Sequence, residues 1–170
     1  MKKLFIIALI LCSIQVSAQT TDLATATITP LTNFSGTWKL NVDQSDYGDL
    51  QGPNSRTDTI EQHEDEITET VVAVQRHKDQ TYVLRFSTDG HKTVLPPGEQ
   101  IHIPPVTVES IAASWQANTL VVIEWLKFDD IEIPARYAYT LSADRSKLSM
   151  TLFLGEAKPA ATFVFERATE

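Results

Sequence analysis

Beyond residue 33 the chain alternates short runs rich in Val, Ile, Thr, Tyr, Phe and Trp with clusters of polar turn residues. The runs fall at 37–41, 56–63, 66–77, 80–87, 106–115, 119–128, 131–142, 147–154 and 161–167, with a shorter one at 92–95. Many short strands at near-regular spacing predict a sandwich or a barrel. Most of the intervening clusters, such as Glu64-Asp65, Lys78-Asp79 and Asp129-Asp130, have hairpin length, so strands pair with their sequence neighbours. An all-β antiparallel meander of about eight to ten strands tends to close into an up-and-down barrel. No segment of this region keeps an apolar period near 3.6 residues, which predicts little helix.

Alternation within the runs sorts the two faces. Tyr82, Leu84 and Phe86 share one side, opposite Thr81, Val83 and Arg85. Leu148, Met150, Leu152 and Leu154 oppose Lys147, Ser149 and Thr151, and Tyr137, Tyr139 and Leu141 oppose Arg136, Ala138 and Thr140. One apolar and one mixed face is the pattern of a barrel with a greasy interior. The run 119–128 is apolar on both faces, so a tail, a loop or another subunit is expected to cover its outside. Pro134 interrupts a strand and predicts a bulge or an unpaired edge there. The other glycines and prolines of this region, Gly36 apart, fall between the runs.

The first residues change the picture of where this domain works. Met1-Lys2-Lys3 precedes an apolar stretch from Leu4 to Val16, and Val16-Ser17-Ala18 puts small residues before Gln19. That is the pattern of a secretory signal over 1–18 with cleavage after Ala18, and it predicts a periplasmic or secreted protein. A lipoprotein through Cys12 ranks lower, because Leu11 stands where a small residue is wanted. Residues 19–33, rich in Thr and Ala, read as a flexible tail, and 34–170 as the barrel domain. Cleavage removes the only cysteine, leaving stability to packing and hydrogen bonds. It also removes two lysines and no acid from a chain of 14 basic and 22 acidic residues, net −8. So acidic a product is a poor partner for nucleic acid or for an anionic membrane surface.

Gly36-Thr37-Trp38 resembles the G-x-W element that opens the first strand of lipocalins and related calycins. The match extends through Trp38-Lys39-Leu40-Asn41 with Ser45. Trp115-Gln116-Ala117-Asn118-Thr119-Leu120 and Leu141-Ser142-Ala143-Asp144 are similar to later turns of bacterial exported lipocalin-like domains. Both turns depart from that pattern by lacking its glycine, with Ala117 and Arg145 instead. The resemblance implies a structural trio of Gly36, Trp38 and Arg167, in which the indole plugs one barrel end and the terminal arginine lies across it. Such a stack is worth about 0.5–2 kcal/mol. It further implies a barrel that holds an apolar small molecule, and no activity.

No catalytic residue, metal site or cofactor is expected. His63-Glu64-Asp65-Glu66 begins like a zinc-protease motif, but position 67 is Ile and the segment sits on a hairpin. His77, His91 and His102 are scattered among loops and strand ends. There is no nucleophile elbow and no phosphate loop. Glu124 lies between Val122 and Leu126 in the most apolar run. Facing inward, it would be a carboxylate of raised pKa able to anchor a ligand or serve an enzyme; facing outward, the reading favoured here, it is an ordinary surface charge. The segment 95–105, with Ile101 and Ile103 between proline pairs, is either a lid or a stiff surface loop. The leading expectation is a non-enzymatic carrier of a small, largely apolar ligand, its cavity lined by Tyr82, Leu84, Phe86, Tyr137, Tyr139, Leu148, Met150 and Leu152. The alternative is an interaction module with a filled interior, meeting a protein partner or a second copy through Thr119–Phe128.

Overall fold

A computed structural model describes residues 32–155 and 158–168; the signal and nearly all of the tail expected at 1–33 lie outside them. Eleven strands follow one another: β1 Gly36–Leu40, β2 Ser55–His63, β3 Glu66–Gln75, β4 Lys78–Ser87, β5 Thr93–Val94, β6 Ile101–Ile103, β7 Val106–Gln116, β8 Thr119–Phe128, β9 Ile131–Leu141, β10 Lys147–Leu154 and β11 Ala161–Arg167. A single 3-10 turn, Val42–Gln44, follows β1, its backbone capped by the Asn41 side chain.

All strands belong to one antiparallel sheet running β4-β3-β2-β1-β11-β10-β9-β8-β7-β5, with β6 also on β7. The seam between the ends of the domain is hydrogen-bonded, Trp38 opposite Arg167 and Leu40 opposite Phe165. Among the described residues the ribbon is therefore a barrel, nearly closed, whose unpaired junction falls between β4 and β7. The cause lies in the connection. Residues 88–105 carry four prolines and two glycines, and prolines offer the ladder no N–H. The short strands β5 and β6 pair with β7 at Ser110–Ile111 and Val106–Val108, occupying the edge that β4 would have taken.

Two details differ from the sequence expectation. The β3–β4 turn is Arg76-His77 and not Lys78-Asp79: both residues sit at positive φ, 52° and 61°, in a tight two-residue hairpin with Gln75 opposite Lys78. A displacement by two residues preserves strand parity, so Leu84 and Phe86 still face the core. The segment 95–105 is a wall element. Leu95 and Ile101 are buried in the main core, and β6 fastens the segment to β7.

Pro134 sits where its missing donor does least harm. The pairing of β9 with β10 stops at Ala135, one residue short of it, while β8 continues alongside. Outside β8, Lys92 places its ammonium 4.0 Å from the centre of the Trp125 ring, so a loop residue covers that position.

Candidate functional site

The interior has two unlike ends. At one, Phe34, Trp38 and Tyr139 are all but fully buried, and Trp115 joins them. Phe34 stacks on Trp115 at 5.6 Å and meets Tyr139 edge-on at 6.4 Å. The Trp38 indole donates to the Phe34 carbonyl at 2.9 Å. The Arg167 guanidinium lies 4.1 Å from the centre of the Trp38 ring and donates to the carbonyls of Ser35 (3.0 Å) and Arg145 (3.2 Å). Gly36 makes room for it, at φ +139°: a methyl group there would run into Arg167. This end is sealed by close packing.

Toward the other end the inward faces turn polar. Arg56, Asp58 and Ile60 alternate into the barrel from β2, as Ile67, Glu69 and Val71 do from β3. Arg56 Nε donates to Asp58 Oδ1 at 2.7 Å, and its Nη2 reaches Glu69 Oε1 at 3.4 Å. Tyr139 donates to Glu69 Oε2 at 3.2 Å. Asp58 and Glu69 are buried, yet Asp58 Oδ2 has no hydrogen-bond partner among the described residues. Glu124 is buried as well, with Tyr137 against it. This corrects the outward reading: the alternation of β8 points Glu124 in with Leu120 and Val122, and Trp125 out.

Two carboxyl groups thus share one guanidinium, with Glu124 buried in the same interior, where water solvates charge poorly. Burial, reinforced by the charge of Asp58, raises the Glu69 pKa to about 8. Burial likewise lifts Glu124 to about 7, with Arg56 opposing the shift. Desolvation works against the Arg56 charge, but Asp58, with Tyr82 and Glu69, more than offsets it and holds its pKa well above the ordinary value. Tyr82, Tyr137 and Tyr139 are pushed up, first of all by burial.

A cleft of about 600 Å³ opens along the unpaired junction, between β4 from Lys78 to Arg85 and the opposing Leu95 and Gly98–Pro104. Its apolar wall comprises Tyr82, Leu84, Leu95, Ile101 and Ile103. Tyr82 lines it from an inward-facing position of β4, on the parity of Leu84 and Phe86. Arg56, Tyr82, Leu126, Tyr137 and Phe163 face inward and keep partial exposure, as Trp115 does at the other end.

Of the eight residues expected to line a cavity, Tyr82 and Leu84 border this cleft. Tyr137 packs beside Glu124, while Phe86, Tyr139, Leu148 and Met150 belong to the main core. Leu152 sits in a smaller cluster with Ala135 and Ala161. Arg56, Asp58 and Glu69 were missed in the sequence, although a signal was present. Glu69 falls on the parity of Ile67 and Val71, and Asp58 on that of Ile60. Among the described residues no group of three or more His, Cys, Asp or Glu is placed to hold a metal ion. The zinc-protease look-alike is a β2–β3 turn with Glu64 at φ 55°.

Sheet order, the plug with its arginine bar, and the cleft beside β4 together define a calycin-type antiparallel barrel. Solved structures agree. The chain is similar to human cRBP IV, with a TM-score of 0.53 and 19% identity over 81% of this chain and 99% of that one. It is also similar to a secretary abundant heat soluble protein from Ramazzottius varieornatus, with a TM-score of 0.58 and 10% identity over 79% and 95% of the two chains. At such identities the likeness is one of fold. No family profile matches the sequence, and no curated protein matches it.

Proposed function

We propose that this protein binds and carries a small, largely apolar molecule, which enters at the β4–β6 cleft. The observation that supports the reading is the cleft itself: about 600 Å³, with Tyr82, Leu84, Leu95, Ile101 and Ile103 on its apolar side and Lys78, Asp79, Gln80, Arg85 and His102 among its polar lining, where the described strands leave the sheet unclosed. Concave sites of about 300–1,000 Å³ with apolar walls and a few polar groups suit small-molecule ligands. The carrier would act in the periplasm or outside the cell. That rests on the leader-like pattern of residues 1–18 and is checked by whether the mature chain begins at Gln19.

Titration with the apolar dye Nile red tests the carrier reading. Saturable one-to-one fluorescence enhancement is expected, and Ile103→Trp, which fills the cleft from a partly exposed position, should weaken it by about tenfold or more without lowering the melting temperature. Saturable binding untouched by Ile103→Trp would move the site elsewhere, and no binding at all would end the reading.

A second reading, an interaction module, draws on Phe128, Ile131 and Ile133, which are 39%, 61% and 37% exposed around the β8–β9 turn. Concentration-dependent association lost on Ile131→Lys would favour it.

A further inference from the structure

The carrier reading leaves the polar end of the ligand unspecified, and the inference here rests on that reading. We propose that this end is a protonated amine, received by the buried carboxyl groups of Asp58 and Glu69, with the buried Glu124 as a further acid of the same interior.

The charge balance and the hydrogen-bond inventory point the same way. Asp58 and Glu69 are the partners to which Arg56 donates. A ligand carboxylate would therefore have to displace the protein's own carboxyl groups from that guanidinium and would add a negative charge beside acids already buried there. An ammonium group meets the opposite situation. Asp58 Oδ2 lies in a side chain with no exposed surface and has no donor among the described residues. A buried acceptor left without a donor is costly, and an ammonium brings three.

The groups that face this place are Arg56 and Asp58 from β2, Glu69 from β3, Tyr82 from β4, Glu124 from β8, and Tyr137 and Tyr139 from β9. Arg56 is the one basic side chain among them. The route is the side of the interior that keeps some exposure: Tyr82 lines the cleft from an inward-facing position of β4, and Arg56 retains 12% of its side-chain surface.

Burial keeps a proton on Glu69 up to about pH 8 and on Glu124 up to about pH 7. An entering ammonium brings a full positive charge, so Glu69 or Glu124 gives up its proton to solvent as the amine binds. Amine affinity should accordingly rise with pH between 6 and 8.5, by up to about tenfold per pH unit for each proton released.

Calorimetry with octylammonium, octanol and octanoate, which share one chain and differ in the head group, tests the inference. Octylammonium should bind about tenfold or more tightly than octanoate at pH 8, with octanol between them. Calorimetry in buffers of different ionisation enthalpy should register proton release for octylammonium alone. Glu124→Gln should weaken octylammonium and leave octanol unchanged, and Asp58→Asn offers the same comparison if the first variant folds poorly. Octanoate binding as tightly as octylammonium, or an equal loss for all three ligands in the variants, would overturn the inference and leave the carrier reading standing. Binding of none of the three would remove both.

Discussion

Ala117 and Arg145 occupy left-handed backbone, φ 52° and 58°, at the two turns where the resemblance has a glycine. A side chain there costs roughly 1–2 kcal/mol, and replacement by glycine recovers part of that after its own entropic loss of about 0.5–1 kcal/mol. Ala117→Gly should therefore stabilise the fold by a few tenths to about 1 kcal/mol, read as a melting temperature a few degrees higher. Arg167 works in the other direction. Its truncation to alanine removes the stack on Trp38 and two donors to backbone carbonyls. A loss of about 1–3 kcal/mol in a denaturant titration is expected, tempered by the exposure of the side chain.

Among the elements, the strands were legible because alternation is strong. The faces of β4, β9 and β10 follow from Tyr82, Leu84 and Phe86, from Tyr137 and Tyr139, and from Leu148 and Met150 without any tertiary information. The β3–β4 turn was misplaced because Arg76-His77 lacks the Asn-Gly signature that usually announces a two-residue hairpin. The open junction was not legible either. Nothing local in 88–105 states that β5 and β6 will take the edge of β7 and leave β4 unpaired; that competition is decided by long-range pairing. Its anchor is hydrophobic, so Ile101→Ala should destabilise the domain by about 2–4 kcal/mol. Amide exchange should then quicken first along β6 and the cleft wall, while the pairs around Trp38 keep their protection.

For the molecule as a whole, the buried carboxylates set the pH response. Glu69 and Glu124 titrate near 8 and 7 in the folded chain, against about 4.3 for an unfolded glutamate. Their raised values mean that the native state holds protons which the unfolded state has released. The stability they lend is complete below about pH 4 and is lost as pH rises through 7 to 8. The melting temperature should fall between pH 5.5 and 8.5, and Glu124→Gln should flatten that slope. A melting temperature that climbs over this range would contradict the buried, inward placement of both side chains. The polar interior was half legible: Glu124 stood out as a charge in an apolar run, but with apolar neighbours on both faces of β8 its direction was open, and outward is the commoner outcome for a glutamate. Asp58 and Glu69 sit among threonines, where a polar neighbour draws no notice.

Whether a ligand enters where the sheet fails to close is most directly tested by following backbone amides in a two-dimensional NMR titration with octanol. Saturating shifts concentrated at 78–85 and 95–104, with the Trp38 and Trp115 indole signals unmoved, are the predicted outcome. Shifts gathered instead around Phe128, Ile131 and Ile133, or none that saturate, would contradict it.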